Sequence, residues 1–134
     1  MLETFFKELD DRGVVVVMSA GNHGYNKDTG KPDSYQEDQW PQQYVTDASP
    51  FIMVGATYHD GSIAEFTTPP AAGPDASGQS SNADAPSISI WAQGVGVYSC
   101  NLVSEPQPMG FHTGTSFAAP QVVSFHSSTK FRSM

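Results

Sequence analysis

The sequence predicts an α/β domain with a mostly parallel β-sheet, and three stretches lead to that expectation. Apolar residues repeat at helical spacing from Leu2 to Leu9, and a run of four valines follows within a few residues. A second apolar run occupies residues 51–57, and an apolar helix that contains alanines is expected after Gly114. A helix, a turn and a buried strand in succession are typical of an α/β sheet.

The first helix is expected to close at residues 10–13, where Gly13 serves as a C-terminal cap. Val14 to Met18 is a continuous β-branched and apolar run, which predicts a central parallel strand buried on both faces. Residues 51–57 predict the second buried strand. Because a helix and a strand stand at the very start, earlier strands of the sheet are expected upstream.

Two polar stretches separate these elements. Residues 25–49 predict a long surface loop, in which Trp40 and Tyr44 are expected to anchor the chain to the body of the domain. Residues 68–86 are rich in proline, alanine, glycine and serine, and predict an extended surface loop that we interpret as an insertion. Two short strands are expected after it, at residues 87–92 and 97–99.

Acidic residues outnumber basic ones by 14 to 6 in this chain of 134 residues, which gives a net charge of -8. This charge repels phosphate backbones and anionic lipid, so neither nucleic acid nor a membrane is an expected partner. An acidic group, Asp33, Glu37 and Asp38, has the spacing of no calcium loop, and a solvated face is expected there. We predict no metal and no cofactor.

The cellular location stays open. Cys100 is the only cysteine, so an internal disulfide is impossible and the redox compartment cannot be inferred from cysteine usage. The first residues lack a basic region followed by an apolar one, which predicts no export signal in the chain as written. No stretch reaches the roughly 18 apolar residues of a membrane span.

The segment from Gly114 to Pro120, GTSFAAP, has the features of a site for a nucleophile. Gly114 allows a tight turn, and Thr115 is expected to cap the helix, which leaves Ser116 among the free N–H groups of a helix start. Pro120 is expected close enough to that start to cost little. For a bare G-T-S, an ordinary capped helix after a turn is the alternative interpretation.

Two longer motifs resemble those of subtilisin-like serine proteases. Residues 114–122, GTSFAAPQV, resemble the nucleophile motif, and residues 13–24, GVVVVMSAGNHG, resemble the buried strand that ends in A-G-N. The resemblance implies a three-layer fold and hydrolysis of polypeptides by acyl transfer. By the same resemblance Ser116 is the nucleophile, and Asn22 donates its side-chain amide to the oxyanion together with the serine N–H. Ser19, Ala20 and Gly21 would line the pocket for the substrate's side chain.

The resemblance covers residues 1–125, but only as the C-terminal portion of such a catalytic domain. Residues 126–134, HSSTKFRSM, are too polar for a buried helix and are predicted to be a divergent tail. Residues 51–57 resemble the family's V-G-A strand. Residues 92–99 resemble the family's A-P-G-x-x-[IV]-x-S, although Gln93 stands where the family has proline.

The family's catalytic aspartate and histidine have no matching motif here. Asp28-Thr29-Gly30 spells D-[ST]-G, but it follows Asn22 in a surface loop instead of ending an early strand, so no catalytic role is expected. His59 and Asp60 adjoin in a turn, where neighbouring side chains point apart. We predict that none of the four histidines is the base for the serine: His23, His59, His112 and His126.

Two interpretations remain open. In one, the chain is the nucleophile half of a serine endopeptidase whose partner is the N-terminal part of the same catalytic domain. In the other, it is a catalytically inactive module that retains a peptide-binding cleft. In either case the isolated chain is expected to be inactive, because a triad without its base loses most of its rate. It is also expected to fold poorly alone, because strands built for burial would face water.

Overall fold

The structure is a computed structural model that describes residues 2–35, 39–45, 51–69, 87–101 and 106–131. The elements of this part of the chain are, in order, α1 (Leu2–Asp11), β1 (Val17–Ser19), β2 (Tyr25–Asn26), β3 (Lys31–Pro32), a 3-10 helix (Gln42–Tyr44), β4 (Ile52–Thr57), β5 (Ile90–Gln93), β6 (Val97–Cys100), β7 (Met109–His112) and α2 (Thr115–Phe131). None of the described helices is long and apolar enough to cross a bilayer.

The main sheet is parallel, with the strand order β1-β4-β5. The predicted α/β class with a parallel sheet is therefore confirmed. The central position predicted for Val14 to Met18 is wrong for the described sheet, in which β4 is central and β1 is an edge strand of three residues. Val14 and Val15 precede the strand and are 44% and 41% exposed, because no described strand covers that side of them.

Two helical layers cover the sheet, and the alternation of side chains along β4 assigns residues to each face. Phe51 and Met53 lie in the core on the α1 side, together with Phe6 and Met18. Val54 and Ala56 lie on the other face, where Ala118 of α2 packs against them. Both faces of β4 are buried, which explains why its sequence is apolar at nearly every position.

The end of α1 forms as predicted. Gly13 has φ +68°, and its N–H bonds to the carbonyl of Asp10. The N–H of Val14 reaches the carbonyl of Leu9 at 2.9 Å, which closes the helix in a Schellman-type arrangement. This turn directs the chain from the helix layer toward the sheet.

The two aromatic residues that are expected to anchor the polar stretch, Trp40 and Tyr44, differ in how deeply they are buried. Tyr44 packs beside Phe6, with ring centroids 5.8 Å apart, and so anchors the stretch as expected. Trp40 lies edge-on to Tyr44 but is 61% exposed, so it lies at the surface beyond the anchor. The segment of residues 28–30 forms the exposed tip of the β2–β3 hairpin.

The acidic side chains of the described residues form no metal-binding group of three or more ligands. Glu37 and Asp38 of the acidic group lie outside the described residues. Asp60 accepts hydrogen bonds from the hydroxyl and N–H of Ser62 at 2.6 and 2.9 Å, and these bonds lower the pKa of that carboxyl. Asp60 therefore bonds to Ser62 within its turn, and the structure records no hydrogen bond between it and His59.

The second sheet differs from the prediction. β6 pairs antiparallel with β7, and Tyr98 lies opposite Phe111. No strand was expected at Met109–His112, because four residues that include a glycine give too short a pattern to recognise. Most of the predicted 68–86 loop lies outside the described residues, and β5 begins at Ile90 instead of residue 87.

The helix α2 runs across the predicted boundary at residue 125 and continues to Phe131. The boundary itself stays a prediction. Pro120 lies inside α2, five residues after Thr115, at which the helix begins. Its missing N–H would have bonded to the carbonyl of Ser116, so that carbonyl lacks its intrahelical partner.

Substituting Gly55 by alanine should destabilise the native protein. A methyl group on Gly55 would overlap the indole ring of Trp91 on the neighbouring strand, and overpacking of this kind costs about 1–3 kcal/mol. Thermal and chemical unfolding of wild type and Gly55→Ala measure the difference. In a Trp91→Leu background the same substitution should cost less, and an equal cost in both backgrounds would show that the ring is not what Gly55 accommodates.

Candidate active site

Ser116 lies in the first turn of α2 and is exposed to solvent. Within the described part of the chain, neither its hydroxyl nor its backbone N–H has a hydrogen-bond partner. The turn before it is tightly packed: the N–H of Gly114 bonds to the carbonyl of Gly94, and a Cβ on Gly94 would lie 2.9 Å from the carbonyl oxygen of Gly114. The serine is thus held on a fixed turn with both of its polar groups available.

Asn22 is fixed beside this turn by Thr115. Its side-chain oxygen accepts the backbone N–H and the hydroxyl of Thr115, both at 2.9 Å. Because a backbone N–H can only donate, the oxygen of Asn22 must face Thr115, and the amide nitrogen is left to face elsewhere. That nitrogen would lie 3.3 Å from a Cβ built on Gly114. The side chain of Asn22 therefore presents a donor beside Gly114, two residues before Ser116.

The predicted helix cap is corrected by this arrangement. Thr115 is the first residue of α2, and its hydroxyl turns away from the helix toward Asn22 and Gly21, so it does not cap its own helix. The acceptor for the first free N–H comes instead from Asn22, 93 residues earlier in the chain. A cap supplied in this way ties the helix to the end of β1.

The end of β1 is held from both sides. The N–H of Ala20 bonds to Val54 of β4, and the N–H of Gly21 bonds to the hydroxyl of Thr115 at 3.2 Å. Asn22 thus follows the carboxyl end of a parallel strand, at the edge where α/β proteins place their sites. The predicted neighbourhood of Asn22 and Ser116 is present, and their catalytic roles stay predictions.

The three residues expected to contact substrate differ in their surroundings. Ser19 and Ser116 both line an open cleft of about 550 Å³ between β1 and α2. Ala20 is fully buried in the core on the α1 side, so its side chain does not face that cleft. Gly21 has φ +97° and leaves no room for a side chain, because a Cβ there would lie 2.7 Å from Gln39 Oε1.

A second open cleft, of about 580 Å³, lies on the β6 side of α2, and Ser116 and Phe117 line it. His112 stacks on the ring of Phe117, with centroids 5.2 Å apart and planes 18° apart. Its Nε2 is buried without a hydrogen bond. Within the described residues no hydrogen bond joins any of the four histidines to the hydroxyl of Ser116.

Sequence reasoning missed two contributors. Thr115 is fully buried and bridges Asn22 to Gly21, a role that its place in a constrained motif could have suggested. Gln42 donates its amide to the carbonyl of Ser19 at 3.2 Å. No local pattern marks Gln42, because its contact depends on how the polar stretch folds back onto β1.

A serine on a fixed turn and an amide donor at the end of a parallel strand are two features that acyl transfer requires: an accessible hydroxyl and a donor for an oxyanion. The family comparison agrees with it. The model of the Subtilase family matches residues 3–126, and the chain belongs to that family of serine proteases.

The solved structures most similar to the chain include two maturation proteases. The prenylagaramide maturation protease PagA matches with a TM-score of 0.57 and 18% identity over 91% of this chain, and the patellamide maturation protease PatG with 0.57 and 20% over 91%. The match covers 34% and 30% of those two chains, so this chain spans about a third of their length. A search of curated proteins found no match.

Replacing Thr115 by valine should destabilise the protein while leaving its shape nearly unchanged. The hydroxyl that receives Gly21 N–H and donates to Asn22 would be lost, and a partly buried N–H without a partner costs about 1–3 kcal/mol. Thr115→Ser keeps the hydroxyl and should retain most of the stability. Equal free energies of unfolding for the valine and serine variants, measured in urea, would contradict the bridging role.

Proposed function

We propose that the protein is a serine endopeptidase in which Ser116 is the nucleophile and Asn22 stabilises the oxyanion. The observation that carries the proposal is the contact between Asn22 and Thr115, which fixes the amide of Asn22 beside the serine. A donor that is already oriented stabilises the negative charge of the transition state without further reorganisation.

In the proposed reaction the hydroxyl oxygen of Ser116 attacks the carbonyl carbon of a peptide bond. The carbonyl oxygen takes on negative charge and receives hydrogen bonds from Asn22 Nδ2 and from the N–H of Ser116. Collapse of the tetrahedral intermediate expels the amine and leaves an acyl-enzyme, which water then hydrolyses. The substrate is a polypeptide, in keeping with the family.

The attack requires a base that accepts the proton of the serine. No described residue bonds to the Ser116 hydroxyl, so we propose that the histidine and aspartate come from an N-terminal part of the same catalytic domain. The greater length of the similar proteases supports this assignment. It also supports the prediction that the 134-residue chain alone is inactive.

The second candidate function is a non-catalytic module that binds peptides in the clefts beside Ser116. The exposed, unbonded hydroxyl favours this alternative, because a serine without a base is a poor nucleophile. The two candidates share the clefts and differ only in chemistry, so reactivity of Ser116 separates them.

Labelling with a fluorophosphonate probe tests whether Ser116 is an activated nucleophile. With the N-terminal part of the catalytic domain present, the probe should form a stable adduct on Ser116, located by mass spectrometry of the digested protein, and hydrolysis of a mixed peptide library should stop once it is bound. Ser116→Ala should abolish both labelling and hydrolysis, and Ser124→Ala on the same helix face is the control. Unlabelled Ser116 in a protein that still binds the peptides would favour the non-catalytic module.

The oxyanion role of Asn22 has a test that leaves the fold intact. Asn22→Asp keeps an oxygen to accept the two bonds from Thr115 but replaces the amide donor, so kcat should fall by about 10²–10³ or more with little loss of stability. Asn22→Ala should lose both the activity and the bonds to Thr115. Steady-state kinetics with unfolding measurements compare the two, and an aspartate variant with near wild-type kcat would contradict the role.

A further inference from the structure

The main chain on both sides of Asn22 is held by a single residue, Thr68. The hydroxyl oxygen of Thr68 accepts the N–H of His23 at 2.9 Å, and the N–H of Thr68 bonds to the carbonyl of Gly21 at 3.0 Å. Gly21 and His23 are the two chain neighbours of Asn22. Thr68 therefore contacts the main chain immediately before and after the residue proposed as the oxyanion donor.

The hydroxyl of Thr68 is packed closely against this main chain. Thr68 is fully buried, and a Cβ built on Gly21 would lie 2.7 Å from its hydroxyl oxygen. A buried hydroxyl is normally satisfied by hydrogen bonds, and one of those that Thr68 makes goes to His23. Loss of this oxygen would therefore leave the N–H of His23 without its acceptor.

The segment that ends at Thr68 continues to contact the chain beyond His23. Two further main-chain hydrogen bonds, of 2.9 and 2.7 Å, join the two segments: Gly24 N–H to the Phe66 carbonyl, and Tyr25 N–H to the Glu65 carbonyl. A Cβ on Gly24 would overlap this segment, so no side chain separates the two stretches of main chain. Residues 65–68 thus lie directly against residues 21–25, which include Asn22.

Asn22 is fixed in two ways. Thr115 orients its side-chain amide through the amide oxygen, and Thr68 holds the main chain from which that side chain extends. Because Asn22 itself is exposed, hydrogen bonds and not packing determine where its amide lies. A group that stabilises a transition state must be held within about 0.5 Å of its productive position. Both sets of bonds are needed for that placement.

We infer that Thr68 is a positioning residue for the proposed reaction: it holds the main chain beside Asn22 so that the amide of Asn22 meets the oxyanion. The inference rests on the proposed function, because that function assigns the oxyanion role to Asn22. Thr68 acts only through Asn22 and takes no part in bond making or proton transfer.

Three substitutions separate the hydroxyl of Thr68 from a general effect on stability. In Thr68→Val a methyl group replaces the hydroxyl, and since such groups pack at about 3.5–4.0 Å, the main chain at His23 must move from its 2.9 Å contact. Thr68→Ser keeps the acceptor. Thr67→Val is the matched control, because the buried hydroxyl of Thr67 bonds to Ala56 of β4 and not beside Asn22.

The kinetic test uses a fluorogenic peptide substrate and the protein with the N-terminal part of the catalytic domain present. We expect Thr68→Val to lower kcat by about ten- to a hundredfold with little change in KM, because the misplaced contact is one made in the transition state. Thr68→Ser should retain kcat, and Thr67→Val should lose stability but not kcat. Wild-type kcat in Thr68→Val, or an equal fall in Thr67→Val, would overturn the inference.

A double-mutant cycle tests whether Thr68 acts through Asn22. In Asn22→Asp the amide donor is absent, so adding Thr68→Val should lower kcat little further, although the free energy of unfolding should still fall. Effects on kcat that simply multiply would contradict the inference. Thermal unfolding identifies any variant that fails to fold, and Thr68→Ala then replaces Thr68→Val, since it removes the same hydroxyl without adding a methyl group beside His23.

The failure of this inference differs from the failure of the proposed function. Hydrolysis that depends on Ser116 but is unchanged in Thr68→Val refutes the inference alone. Hydrolysis that survives in Ser116→Ala, or none at all, refutes the proposed function. In that case NMR relaxation of the Asn22 side-chain amide decides whether Thr68 positions it. The amide should be ordered in wild type and Thr67→Val and more mobile in Thr68→Val, and equal order in all three would overturn the inference.

Discussion

The hydroxyl of Thr115 is the contact on which the candidate site depends. It accepts the N–H of Gly21 and donates to Asn22, and so it joins the end of β1 to the start of α2 across 93 residues of chain. A hydroxyl that accepts one bond and donates another suits this place, because it satisfies two groups that face each other. The backbone N–H of Thr115 bonds to the same oxygen of Asn22, so two donors of one residue fix the orientation of that amide.

The sheet supplies the rigid frame for that bridge. β4 is buried on both faces and holds β1 in parallel register, so the carboxyl end of β1 has a fixed position relative to α2. Small residues let the layers approach: Gly55 accommodates Trp91, and Gly94 lies against Ala56 and the Gly114 carbonyl. The placement of the candidate site is thus supported by close packing at these two glycines.

Around the serine, the surface changes in character from one side to the other. The two clefts beside α2 are lined by apolar side chains and by several serines, Ser116 among them. The end of β1 instead presents polar backbone that the amides of Gln39 and Gln42 contact.

The sequence alone determined the α/β class, the helix that Gly13 caps, the buried strand β4 and the position of Ser116 at a helix start. Each of these follows from a local pattern: periodicity, a cap residue or a motif of adjacent residues. Only the tertiary structure decided that β1 lies at the edge of the described sheet, that β6 pairs with β7, and that Asn22 caps α2. The same holds for the amide of Gln42 on Ser19. These outcomes depend on contacts between residues far apart in the chain, and local spacing carries no information about which distant groups meet.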